Sequence, residues 1–93
     1  MLSQIPIDLA KVKKENIDRE IARLGMIAEL DAVSLYEQLA AMTENTAIQK
    51  VLLDIAKEEK THIGEFEVLL LQHDSEQVSE TEKGKKEVAA LTA

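Results

Sequence analysis

Apolar residues recur along this chain at intervals of three and four, in two long blocks. In the first block, Ile17, Ile21, Leu24, Ala28, Leu35, Leu39 and Met42 keep helical spacing, and a second line, Ala22, Gly25, Val33, Tyr36 and Ala40, runs beside them. At 100° per residue the two lines together cover roughly 200° of the helix circumference, more than one partner helix can bury. A helix over 16–43 is therefore expected to be covered on two sides. Asn16 reads as its N-cap, with Asp18 and Glu20 in the first turn. In the second block, Leu52, Ile55, Ala56, Ile63, Phe66, Leu69 and Leu70 mark one face of a helix over 46–73, for which Thr46-x-x-Gln49 reads as a capping box. Residues 1–14 read as a leader in which Pro6 blocks an earlier helix start. Residues 75–81 read as a turn-rich acidic connection, and 83–91 as a short third helix with Gly84 near its start. No repeat, low-complexity tract or linker interrupts residues 1–93, so a single domain is expected. The fold class is all-α: an antiparallel two-helix hairpin with a short C-terminal helix, forming a four-helix bundle when a second copy of the chain pairs with it.

Three polar residues interrupt these apolar faces. Glu59 and His62 fall inside the stripe of the second helix, one turn apart and pointing the same way. Glu29 sits in the second line of the first helix, between Gly25 and Val33. A carboxylate among aliphatic side chains is costly unless an opposite charge compensates it. Lys57 and Lys60 turn away from the stripe, which leaves a metal cation as the compensating charge. A Glu-x-x-His pair facing inward, with a Glu from a neighbouring helix, is the ligand unit of carboxylate-bridged di-iron bundles. A complete site takes two of each, and one chain carries half. Two chains related by a two-fold axis supply Glu29, Glu59 and His62 twice. Four carboxylates then balance two Fe(II) ions, and two imidazoles complete an N/O ligand set of the kind iron accepts. A single Glu-x-x-His on a helix is weak evidence; its match to Glu29 on the other helix is what gives it weight. Glu58 and Glu65 point off the stripe into solvent, and His73 reads as a favourable cation at a helix C-terminus.

Charge and composition narrow the function classes. A net charge of −7 argues against nucleic acid and anionic membrane surfaces as partners and suits a cationic substrate. One Tyr, one Phe and no Trp leave no platform for stacking bases. The absence of cysteine excludes disulfides, zinc–thiolate sites and iron–sulfur clusters from this chain. No apolar run is long enough to span a membrane and residues 1–10 lack the shape of a signal peptide, so a cytoplasmic location is expected.

The stretches AELDAVSLYEQ (28–38) and EEKTH (58–62) resemble the encapsulated ferritins, relatives of the rubrerythrin and ferritin-like group. The similarity runs over 24–78 and is greatest to archaeal forms, with their patterns LDAxxLYEQ and LLDxAxEEKxHxGEF. The resemblance implies a hairpin that dimerises to build a ferroxidase centre at the subunit interface, dimers that assemble into a ring-shaped decamer, and a surrounding encapsulin shell that stores the oxidised iron. Carried over by motif, the metal ligands are Glu29, Glu59 and His62, and Tyr36 is the tyrosine beside the metals; as a bare residue, Tyr36 reads equally as a core aromatic whose hydroxyl bonds to backbone. Some relatives carry two further acids on the route by which iron reaches the centre. Those positions are Ala28 and Asp31 here, so Asp31 alone is left as a secondary metal contact. A tryptophan found before the tyrosine in some relatives is Leu35. The C-terminal KKEVAALTA carries no recognisable shell-docking peptide, and in some archaea this unit is fused to the shell protein.

The expected function is oxidation of Fe(II) to Fe(III) by dioxygen or peroxide at a di-iron site shared by two subunits, for iron storage or detoxification inside an encapsulin compartment. Ca²⁺ or Zn²⁺ can substitute for iron as a bound ion. Two alternatives stand beside it: a rubrerythrin-like peroxide reductase, for which the chain has no rubredoxin-type cysteines, and a non-catalytic metal-binding oligomerisation or cargo module.

Overall fold

The computed structural model describes residue 4 and residues 8–93. Pro6 and the start of the leader lie outside them. Two 3-10 turns, Leu9–Lys11 and Lys14–Asn16, lead into three helices: α1, Ile17–Met42; α2, Thr46–His73; and α3, Ser75–Thr92. Among the described residues there is no strand, and no helix is long and apolar enough to cross a membrane.

α1 and α2 form an antiparallel hairpin around a three-residue connection. Its cap differs from the expected one. Asn45, not Thr46, is the N-cap of α2, and its side chain accepts from the Ile48 amide at 3.1 Å. Gln49 does not close a capping box; its side-chain Nε2 donates to the Ala40 carbonyl at the end of α1, 3.3 Å away. Asparagine is as good a cap as threonine or better, and choosing it moves the cap one residue back along the chain.

The seam between α1 and α2 is made of small residues. Ala22 and Ala40 of α1, with Ala56 and Leu70 of α2, are the buried hydrophobic residues, and among the described residues no large side chain is fully buried. Alanine lets two backbones approach closely, but three alanines and a leucine are half a core. On the other line of α1, Ile17, Leu24, Ala28 and Leu35 are partly buried, and Ile21, Leu39 and Met42 are exposed. By helical spacing, Ile21 and Leu39 border the same side of the hairpin as Ile48, Val51 and Leu69 of α2, all exposed as well. The accessible surface is 7095 Å², against about 5,400 Å² for a compact globule of this size. The radius of gyration, 16.5 Å, likewise exceeds the roughly 12 Å of a compact domain.

α3 is twice as long as the sequence suggests. The stretch 75–81, expected as an acidic turn, is its first two turns. Asp74 is the reason. It caps α3, with Oδ1 accepting from the Gln77 amide at 3.0 Å, and Glu76 lies in the first turn, where the helix dipole favours an acid. Asp74 Oδ2 accepts from the Arg23 guanidinium at 2.8 Å, and Arg23 also donates to Glu20 at 2.7 Å. A buried carboxylate with both oxygens engaged therefore ties the start of α3 to the first turns of α1. Beyond that junction α3 projects from the hairpin with no buried residue.

The Gln77 amide, reinforced by Arg23 and the nearby charge of Arg19, holds the Asp74 carboxyl below its ordinary value of 3.8 in spite of its burial. A lowered folded-state pKa gives stability that is present above the unfolded value and is lost as pH falls through the folded one. The α2–α3 junction is thus expected to stay closed at neutral pH and to loosen below about pH 4. Asp74→Ala should reproduce that loosening at pH 7. The first amides of α3 would then exchange faster by hydrogen exchange while those of α1 and α2 near Ala40 and Ala56 keep their protection. Unchanged protection at the start of α3 would contradict this role for the clasp.

Candidate metal centre

Midway along the open side of the hairpin, Glu29, Glu59 and His62 meet. Each offers one ligand atom, and the three atoms lie within 4.8 Å of one another. His62 Nδ1 is 3.3 Å from Glu59 Oε2 on its own helix and 3.5 Å from Glu29 Oε2 across the hairpin. Helix periodicity accounts for the first distance, since i and i+3 side chains are neighbours. The second depends on the register of α1 against α2, whose seam buries Ala22 and Ala40 of α1 on either side of Glu29.

The donor set suits a divalent cation. Atoms bound at about 2.1 Å to one ion lie about 3–4 Å from each other, close to the spacing found here. Two carboxylates bring the negative charge and an imidazole a nitrogen ligand, an N/O combination that iron, manganese and zinc accept. No lysine supplies the compensating charge. Lys60 turns to Glu37 on the far side of the hairpin, 3.3 Å away. The two carboxylate side chains are 20% and 19% exposed, whereas His62 is 46% exposed. The cluster therefore has acids set back in the hairpin and an imidazole at the open face, toward the uncovered side chains of Ile21, Val51 and Leu69.

Tyr36 is half-buried two turns beyond Glu29 on the same face of α1. Asp31 lies about 200° round α1 from Glu29 and is not part of the three-residue cluster. Two residues that carry no ligand atom lie one turn from the ligands. Gly25, one turn before Glu29, faces the ring of Phe66, one turn after His62. An interior glycine in a long helix is the sequence signal for such close approach. On the outer side of Phe66 a hollow of ≈ 200 Å³ is lined by Asp18, Ile21, Ala22, Phe66, Leu69 and His73.

The profile of the rubrerythrin family matches residues 9–92, nearly the whole chain. The chain belongs to the rubrerythrin family. Within it, the similarity to encapsulated ferritins extends to structure. The crystal structure of the encapsulated ferritin domain from Pyrococcus furiosus is 49% identical, with a TM-score of 0.84 over 99% of this chain and 96% of that one. A ferritin-like–encapsulin shell fusion protein from the same organism is 56% identical over 73 residues, 78% of this chain. An encapsulin nanocompartment cargo protein of Myxococcus xanthus is 29% identical over 85 residues. The chain spans only 21% of the fusion protein and 65% of the cargo protein. The all-α hairpin expected from periodicity, and the ferritin-like architecture that the resemblance implies, are those of this rubrerythrin-family domain.

Proposed function

We propose that this rubrerythrin-family domain is a ferroxidase whose centre is completed by two copies of the chain. The observation that carries the reading is the convergence of Glu29, Glu59 and His62 at an apolar face that the single chain leaves uncovered. The two carboxylates and one imidazole of a single chain are half of the four-carboxylate, two-histidine set of a di-iron bundle site. A two-fold axis at this face doubles them and brings four carboxylate charges against two Fe(II) ions. The same pairing covers Ile21, Leu39, Ile48, Val51 and Leu69, whose exposure alone would disfavour a lone chain.

Fe(II) is the substrate. Each of two ions gives up one electron, and the pair reduces dioxygen to hydrogen peroxide, or peroxide to water, with protons drawn from solvent. The chain's residues hold the ions side by side and balance their charge. Carboxylates bind Fe(III) more strongly than Fe(II), so the donor set favours the oxidised product. Tyr36, on the same face as Glu29, is the tyrosine that the resemblance places beside the metals. The relatives named as a shell fusion and a shell cargo support a place for the product inside an encapsulin compartment, with dimers assembled into the larger ring that the resemblance implies.

The test is aerobic oxidation of Fe(II), followed by the near-ultraviolet absorbance of Fe(III), on size-separated fractions. Fast oxidation is expected in the dimer and larger assemblies and slow oxidation in the monomer. Equal specific activity in all fractions would exclude a shared site. Tight binding of Zn²⁺ or Ca²⁺ without any acceleration of iron oxidation would favour a non-catalytic metal-binding module.

A further inference from the structure

We infer that Gly25 and Phe66 are positioning residues of the metal centre: the ring of Phe66, seated on the bare backbone of Gly25, sets the spacing of α1 and α2 at which Glu29 meets Glu59 and His62. The inference rests on the metal reading of the cluster and goes one step further, to what determines its geometry.

Gly25 lies four residues before Glu29, and Phe66 lies four residues after His62. Both are one helical turn from a ligand, on the same faces as the ligands, and at the same end of the cluster. A Cβ at Gly25 would fall 2.5 Å from Phe66 Cε1, 2.6 Å from Cδ1 and 2.7 Å from Cζ. Three ring atoms thus occupy the volume that any other residue at position 25 would fill. A ring edge is stiff, so relief comes only from rotating the ring or separating the helices. Either movement acts one turn from a contact that is itself only 3.5 Å long, His62 Nδ1 to Glu29 Oε2.

The other helical glycines provide the contrast. Around Gly64, two residues after His62, and Gly84 there is nothing within 4 Å of an added Cβ. Glycine inside a helix is unfavourable relative to alanine, and at Gly64 and Gly84 no packing requires it. At Gly25 the ring does. Phe66 also lines the hollow formed with Ile21, Leu69 and His73, and none of the three ligands does.

Matched substitutions test this with Co(II) as a spectroscopic probe, under conditions where the wild type is assembled. Gly25→Ala should weaken Co(II) binding about 10- to 100-fold, the range lost when groups that orient metal ligands are disturbed. It should also change the visible Co(II) spectrum, which reports ligand geometry. Gly64→Ala, the same change in the other helix, should leave affinity and spectrum as in the wild type and raise the melting temperature. Phe66→Leu in the Gly25→Ala background, which removes the ring edge, should restore at least part of the affinity. Circular dichroism confirms that each variant is helical; if Gly25→Ala does not fold, Phe66→Leu alone must shift the spectrum for the inference to stand. If the wild type binds no Co(II), the metal reading falls and this inference with it. If the wild type binds and Gly25→Ala gives the same affinity and spectrum, the positioning role alone is overturned.

Discussion

His62→Ala is expected to abolish fast iron oxidation while leaving the helices intact. In a two-fold site one substitution removes two imidazoles, one from each chain, and leaves two ions held by carboxylates alone. Loss of groups that merely orient ligands costs about 10- to 100-fold in metal affinity or activity, so loss of two ligands should reach or exceed the upper end of that range. Within a single hairpin the side chain is 46% exposed and stands outside the α1–α2 seam, so its removal leaves the packing between the two helices in place and the circular dichroism spectrum should not change. The measurement is the initial rate of Fe(III) formation at saturating oxygen. An initial rate within a few-fold of the wild type would place the oxidising centre elsewhere.

The second large effect is on assembly. Without metal, pairing two hairpins at this face brings two copies of Glu29 and Glu59 together with no lysine between them, and like charges in an apolar site repel. Metal bound only by the paired form favours it by mass action, about 2.7 kcal/mol at a free ion concentration 100 times the dissociation constant. For a domain of this size that corresponds to a rise of roughly 10–20 °C in melting temperature. Glu29→Gln removes two charges per pair with little change in shape. Metal-free Glu29→Gln should therefore associate more tightly than the metal-free wild type, yet gain less from added Fe(II) under anaerobic conditions. Analytical ultracentrifugation with and without Fe(II) separates the two effects. Identical association of wild type and variant, both indifferent to metal, would mean that the carboxylates do not converge at an interface.

The parts of this molecule that were legible in the sequence are those governed by the helical period. Ala22, Ala40, Ala56 and Leu70 stand in the two apolar faces and are the residues buried in the hairpin seam. Glu29, Glu59 and His62 stand in the same faces, and the structure brings their ligand atoms together. The wide apolar face of α1 resolves into two halves, one covered by α2 and one left open at Ile21 and Leu39. What was not legible depends on contacts between residues far apart in the chain. The length of α3 follows from Asp74, whose carboxylate caps the helix and at the same time binds Arg23, 51 residues earlier; composition alone made 75–81 look like a turn. The shift of the α2 cap to Asn45 is a one-residue ambiguity among adjacent capping residues. Gly25 could be placed on the inner face by its spacing, but that it faces the Phe66 ring depends on the register between the helices.

The claim that two chains share one centre is tested most directly by native mass spectrometry of protein titrated with Co(II) or anaerobic Fe(II), which counts ions and chains in the same particle. The expected result is two tightly held ions for every two chains, confined to dimers and their multiples, with monomers metal-free at the same ion concentration. Monomers carrying a tightly held ion, at the affinity found in the dimer, would contradict it.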